Sequence, residues 1–149
     1  MRTKKVNRYY CDFCKKAGCS AGHMRSHETH CTMNPNRVCR MCALIEDRAR
    51  TANLSELIAL LPIKEQFKTK TKNIEDSPYP GLEAAVEAVI PKLRDAAGDC
   101  PMCIWSALRQ ADLHHYTEFD LKSESSPILD EAARRRVRES RQVSYLEAK

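Results

Sequence analysis

Residues 11–31 read CDFCKKAGCSAGHMRSHETHC. Two residues separate Cys11 from Cys14, twelve separate Cys14 from His27, and three separate His27 from Cys31. Two residues between thiols allow both sulfurs to bind one ion from a tight turn, and a spacing of four places His27 and Cys31 on one face of a helix. The spacing therefore predicts a closed metal site with these four residues as its ligands.

The cysteines of the whole chain are predicted to be metal ligands rather than disulfide partners. The 149 residues contain eight cysteines, and six of them form three C-x-x-C pairs, a spacing that a disulfide scaffold has no reason to repeat: Cys11/Cys14, Cys39/Cys42 and Cys100/Cys103. The basic start leads into no apolar stretch, so we expect no secretory leader, and no apolar run is long enough to span a bilayer. We therefore expect an intracellular, reducing compartment, in which such pairs indicate metal sites or redox motifs, and the threefold repetition favours zinc.

Residues 9–31 resemble the C2H2 zinc fingers, in their Cys-Cys-His-Cys variant. Such fingers carry an aromatic residue two positions before the first cysteine, here Tyr9, and an apolar residue three positions before the histidine, here Met24. The resemblance implies that a hairpin near residues 9–18 supplies two thiolates and that a helix supplies the other two ligands, one turn apart.

The match has one departure inside the finger. Gly18 occupies the position where the family usually has a large core aromatic, and we expect Cys19 to be a small buried thiol that fills part of that space. His30 is an alternative fourth ligand, three residues after His27, while His23 is expected to be a solvated helix residue.

A second site is predicted from the two pairs that remain. Cys39/Cys42 and Cys100/Cys103 each precede a predicted helix, and amides at a helix N-terminus favour thiolate. Joined, they make a four-cysteine site. The alternative joins Cys11/Cys14 to Cys39/Cys42 as a ribbon; the two-site partition is favoured because it uses every pair. Both sites are closed, which argues against metal catalysis, and we expect no enzyme.

The predicted fold is mostly α, with a small ββα zinc finger followed by a helical domain clipped by the second zinc site. Its parts are a basic arm at 1–8, the finger at 9–38, the helical zinc-clipped domain at 39–126 and a C-terminal basic helix at 127–149. Helices are predicted at 43–50, at 53–61 with Asn53 as N-cap, and at 104–111. Another is predicted to open at Pro80-Gly81 and to end at Gly98, with apolar residues at a 3.6-residue period and a kink at Pro91. Residues 64–79 and 112–126 are predicted to be irregular.

The last helix is predicted to begin after Ser126, with Pro127 at its first position. Leu129, Ala133 and Val137 would share an apolar face that docks on the domain, while Arg134, Arg138 and Arg141 would share a solvated one. An alternative is an extended arm that contacts phosphate or an acidic partner.

The charge of the chain is concentrated near its start. The formal net charge is +5, yet residues 1–42 alone hold nine Lys and Arg against Asp12 and Glu28, a net +7. Binding two zinc ions through thiolates lowers the total to about +2. A basic N-terminal third favours contacts with nucleic-acid phosphates, for which the candidate residues are Arg2, Lys4, Lys5, Arg8, Lys15, Lys16 and Arg25.

The sequence thus predicts a non-enzymatic zinc-binding adaptor with two zinc ions, associated with nucleic acid. The base-reading positions that the resemblance implies, Ser20, His23 and Ser26, are short or weakly basic, so sequence specificity is expected to be low. The alternative is a protein–protein interaction or assembly protein, such as a viral structural component or an inhibitor of a larger machine, in which zinc is purely structural. A protein partner is expected in either case, and a membrane is not.

Overall fold

The computed structural model describes residues 5–45, 52–69 and 77–147, with side chains as far as residue 140. In these residues the protein is mostly helical, with one small two-stranded sheet. The elements in chain order are β1 (Tyr9–Tyr10), β2 (Ala17–Gly18), α1 (Ala21–His30), α2 (Leu54–Ala59), a 3-10 turn (Lys64–Phe67), α3 (Leu82–Ala97), α4 (Pro101–Gln110) and α5 (Leu121–Glu147).

The two short strands form the hairpin predicted near residues 9–18. They pair antiparallel, with Tyr9 opposite Gly18 and Tyr10 opposite Ala17. Helix α1 follows directly and packs against both strands. This N-terminal unit buries few apolar side chains, as expected of a segment with almost no aliphatic residues.

The apolar core lies among α2, α3 and α4. Leu57, Leu82, Leu93, Ile104 and Leu108 are its largest fully buried aliphatic side chains, together with Leu113 just after α4. The 3.6-residue period predicted for α3 is confirmed, because its buried residues are Leu82, Val86, Ile90, Leu93 and Ala97. None of the helices in the part of the chain that the structure describes is long and apolar enough to cross a membrane.

Local signals set the ends of α2 and α3 as expected. The Asn53 side chain accepts a hydrogen bond from the backbone N–H of Ser55 at 3.1 Å, so the predicted N-cap of α2 is confirmed. Helix α3 continues through Pro91 and ends at Gly98, whose φ of 50° is left-handed and suits glycine.

Helix α5 begins six residues earlier than predicted. The Asp120 carboxylate accepts hydrogen bonds from the backbone N–H groups of Lys122 at 3.3 Å and Ser123 at 2.9 Å, and these bonds cap the first turn. Pro127 therefore lies in the second turn of α5 and not at its first position. The prediction that residues 121–126 are irregular was wrong, because the Asp120 cap starts the helix before Pro127.

The apolar face predicted for α5 was also wrong. Leu129 and Val137 are 48% and 52% exposed, and Ala133 between them is exposed as well. The residues turned toward the domain are instead Ser125, Ile128 and Ala132, which share a face at spacings of three and four. A shift of one position rotates a helical side chain by about 100°, so neighbours such as Ile128 and Leu129 have different surroundings.

Truncating Ile128 should therefore destabilise the protein more than truncating Leu129. For Ile128→Ala we expect a loss of about 1–2 kcal/mol in the free energy of unfolding, because the side chain is half-buried against the core. For Leu129→Ala we expect a change within about 0.5 kcal/mol. Urea unfolding of the metal-loaded variants measures both values, and a larger loss for Leu129→Ala would restore the predicted face.

Candidate metal centres

The first candidate centre is formed by Cys11, Cys14, His27 and Cys31. Their ligand atoms all lie within 4.8 Å of one another, and Cys14 Sγ is 3.2 Å from His27 Nε2. Cys11 follows β1, Cys14 lies in the turn before β2, and His27 is in the last turn of α1. Cys31 lies one residue past the end of that helix, where its backbone N–H donates to the Glu28 carbonyl at 3.3 Å.

Hydrogen bonds hold the hairpin and the helix in this arrangement. The backbone N–H of Phe13 donates to Cys11 Sγ at 3.4 Å, and that of Asp12 donates to Glu28 Oε1 at 3.1 Å. Ser20 caps α1 by accepting from the backbone N–H of His23 at 3.3 Å. The cap and the Asp12–Glu28 contact fix the helix against the turn that carries Cys11.

The interior of this unit differs from the expectation at Cys19. That thiol is exposed and fills no space beside Gly18. Met24 lies there instead: it is 6% exposed, and a Cβ added at Gly18 would be 3.6 Å from its Cε. Met24 thus occupies the volume that the missing aromatic would need, while Tyr9 remains 37% exposed.

His30, the alternative fourth ligand, and His23 both lie outside this group. His30 Nδ1 donates to the Val38 carbonyl at 2.7 Å, which orients its ring toward the following segment. His23 is exposed on α1, as expected.

The second candidate centre is formed by Cys39, Cys42, Cys100 and Cys103. All four are nearly inaccessible, with exposures between 0% and 3%. The Sγ atoms of Cys39 and Cys100 are 3.6 Å apart, and those of Cys42 and Cys103 are 3.5 Å apart. Four sulfurs arranged tetrahedrally at about 2.3 Å from one zinc ion would be about 3.8 Å from each other. The donor set and its dimensions therefore fit a single ion of that kind.

The two pairs of this centre have different local settings. Cys100 is the N-cap of α4 and Cys103 lies in its first turn, because the helix begins at Pro101 and not at Ile104. Residues 40–44 form turns, so the helix predicted from Ala43 is wrong as far as residue 45, and residues 46–50 lie outside the described residues. Support from a helix N-terminus is thus seen for one of the two pairs.

The four buried thiols perturb one another strongly. Hydrogen bonds with Cys100 and Cys103 hold the pKa of Cys39 far below its usual range and lower the pKa of Cys42 to about 7. Hydrogen bonds with Cys103 and Cys39 raise the pKa of Cys100 far above its usual range. Because thiolates this close repel one another, a cation is needed to keep all four sulfurs ionised.

Arg37 is a member of this centre that the sequence reasoning missed. Its side chain is buried, with the residue 5% exposed, and Nη1 is 3.8 Å from Cys103 Sγ, within reach of a hydrogen bond to sulfur. Four thiolates and a divalent ion carry a net charge of −2, which a buried guanidinium offsets. In the sequence Arg37 contributes only to the basic charge of residues 1–42. Its position two residues before Cys39 was the available sign that it lies near the metal ligands.

The two centres are fixed to each other through Thr32, the residue after Cys31. Arg109 Nη1 donates to Thr32 Oγ1 at 3.1 Å, and Gln110 Nε2 donates to the Thr32 carbonyl at 2.8 Å. Both donors lie at the end of α4, whose start carries Cys100 and Cys103. One helix therefore connects the two groups of ligands.

The structure brings the ligands together in the two groups of four that were predicted from the sequence. Within residues 5–45, 52–69 and 77–140, the ligand-type clusters are these two, and Cys11/Cys14 do not join Cys39/Cys42 in a ribbon. Among the candidate phosphate contacts, Arg2 and Lys4 lie outside the described residues. The others are exposed: Lys5, Arg8, Lys15, Lys16 and Arg25.

Metal analysis of purified protein should find two ions per chain, one for each group. Cys100→Ser should reduce this to one ion and loosen the helical core, because a serine hydroxyl does not ionise at neutral pH and is a poor ligand. Elemental analysis and circular dichroism measure the two effects. Cys19→Ser is the matched control and should keep both ions, since Cys19 is exposed and outside both groups. A wild-type chain with one ion would contradict the assignment.

Replacing Arg37 by methionine should weaken the second centre specifically. We expect a loss of about 10- to 100-fold in its metal affinity, as is typical when a partner of a ligand is removed. Competition with a chelating dye measures the affinity. Arg40→Met is the control, because Arg40 lies between Cys39 and Cys42 but is exposed. Equal losses in the two variants would show that general positive charge, and not the Arg37 contact, supports the ion.

Comparison with known proteins adds no relative to this picture: no protein-family model, curated protein or solved structure matches the chain. The function therefore has to be inferred from the chain's own residues.

Proposed function

We propose that the protein is a non-enzymatic adaptor that binds two structural zinc ions and associates with nucleic acid through its basic N-terminal third. The observation that carries the proposal is the convergence of eight protein ligands into two groups of four. Thiolate and imidazole donors in groups of this size are the usual ligands of structural zinc. The sulfur separations of 3.5 and 3.6 Å in the second group suit one ion and leave no room for a polynuclear cluster.

The first group supports the finger interpretation. Within residues 9–31 a hairpin is followed by a helix, and these elements and their ends carry four ligands in the order Cys, Cys, His, Cys. In the proposed holo-protein each ion has four protein ligands and no position for water or substrate. Zinc then acts as a structural element and not as a Lewis acid.

Exposed cations support the association with nucleic acid. Lys5, Arg8, Lys15, Lys16 and Arg25 are all exposed within one small unit. The acids of that unit are Asp12 and Glu28, and Glu28 is engaged with the Asp12 backbone. Positive charge of this density attracts phosphate without regard to base sequence.

Low sequence specificity is consistent with the side chains on α1. The Ser20 hydroxyl caps the helix by accepting from the His23 N–H, and the Ser26 hydroxyl accepts from Arg40 Nη2 at 3.2 Å. Two of the three positions that a finger uses to read bases are therefore occupied by internal hydrogen bonds. Contacts to the phosphate backbone remain as the main mode of binding.

A second candidate function is protein assembly, and one surface favours it. Leu129 and Val137 are exposed on α5, which extends to Glu147. On the face of α5 that carries Ile128 and Ala132, a largely apolar groove of about 350 Å³ also includes Leu44 and Ile45. A partner with an apolar helix would suit this surface.

Salt dependence separates the two functions. If about four phosphates are contacted, affinity for mixed-sequence DNA or RNA should fall roughly a hundredfold between 50 and 200 mM salt, because bound counterions are released. Fluorescence anisotropy with the zinc-loaded protein measures this slope. Flat binding of micromolar affinity or weaker would exclude the nucleic-acid function and favour assembly.

Charge-removing pairs provide the control for that measurement. Lys5→Ala/Arg8→Ala should reduce the slope, whereas Lys92→Ala/Arg136→Ala removes the same charge from exposed positions on α3 and α5 and should leave it unchanged. Equal effects of the two pairs would show that net charge, and not the N-terminal third, governs binding.

A further inference from the structure

A basic cleft lies between the two metal centres. It has a volume of about 310 Å³ and is lined by Lys16, His23, Ser26, His27, His30 and Arg40. Lys16 comes from the hairpin, the next four residues come from α1, and Arg40 comes from the turn between Cys39 and Cys42. No acidic side chain is among these lining residues.

Arg40 is held in a defined position within the cleft. Its Nη2 donates to Ser26 Oγ at 3.2 Å, which fixes the guanidinium against α1. A guanidinium has five N–H donors in a planar fork, so this bond leaves donors available for an oxygen ligand. Lys16 on the hairpin provides a second cation at the same cleft.

We propose that this cleft binds one phosphodiester group of a nucleic-acid strand, with Arg40 and Lys16 as its contacts; the proposal rests on the nucleic-acid function proposed above. Arginine forks match the oxygens of a phosphate, and lysine adds a point charge. The two cations come from different elements and line the same opening.

The surface beside the cleft favours a nucleotide strand over an isolated anion. Toward the start of α1 the cleft continues into a second depression of about 610 Å³, which shares Lys16, His23 and His27. Its further walls are uncharged and include Ala17, Gly18 and Met24. A sugar or base attached to the bound phosphate can occupy this part, whereas an isolated anion has no group to place there.

The cleft depends on both metal centres. Lys16 and α1 belong to the first, while the ligands Cys39 and Cys42 of the second flank Arg40. The segment before Cys39 is attached to α1 by the Val38 backbone, whose N–H donates to the Thr29 carbonyl at 2.8 Å and whose carbonyl accepts from His30 at 2.7 Å. The metal state of the second centre should therefore determine whether Arg40 faces the cleft.

The test compares Arg40→Ala with Arg136→Ala in the zinc-loaded protein. Both changes remove one exposed arginine, but Arg136 lies on α5 and does not line the cleft. For a short labelled single strand of mixed sequence, Arg40→Ala should weaken binding about tenfold and reduce the salt slope by about one, and Arg136→Ala should weaken it no more than about twofold. Metal analysis should find two ions in both variants, which excludes misfolding as the cause.

Three results would overturn the proposal, and they are distinguishable. Equal losses of affinity in the two variants would show that the cleft is not the phosphate site, but would leave the proposed nucleic-acid function intact. No salt-dependent binding by the wild-type protein would remove both. Equal competition by a polyglutamate of the same length would show that the cleft takes acidic groups in general, as an acidic protein partner would offer.

Discussion

Four buried sulfurs hold together two segments of chain that are 61 residues apart, and the rest of the helical unit depends on that junction. The sulfurs are part of the apolar core itself, packed in one cluster with Leu57, Leu93 and Ile104. Without a cation, four thiolates with sulfurs 3.5 and 3.6 Å apart would repel one another, so the junction needs a bound ion. The core and the second metal centre are therefore one cooperative structure.

Ligand spacing and helical periodicity could be predicted because both are local properties. The C-x-x-C pairs identified the residues that meet at each centre, the period of α3 identified its buried face, and Asn53 identified the start of α2. Each of these depends on residues only a few positions apart. The mostly helical character of the chain followed from the same signals.

What the sequence did not reveal depends on competition between signals or on distant contacts. The Asp120 cap outweighed Pro127, which moved the start of α5 and changed the face that it buries. Met24 took the space beside Gly18, so Cys19 stayed exposed. Arg37 could not be distinguished from the other cations of its basic segment, because the contact that sets it apart is with Cys103, 66 residues along the chain.

The residues proposed to stabilise the fold and those proposed to bind phosphate lie in different parts of the molecule. Thiolates and the buried Arg37 serve stability, whereas the cations proposed to bind phosphate are exposed and make few contacts within the protein. Arg40 is the exception, because it lies between two ligands and yet opens onto the cleft. Loss of the ion from the second centre would therefore change the position of Arg40 and with it the proposed phosphate contact.

The wide separation of the two halves of the second centre also has a consequence for biosynthesis. The first group is complete once Cys31 has been made, but the second must wait for the 72 residues from Thr32 to Cys103. At roughly 5–20 residues per second this takes about 4–14 s on the ribosome. During that interval Cys39 and Cys42 are two ligands without their partner pair, so the ligands of the first group are all present before those of the second.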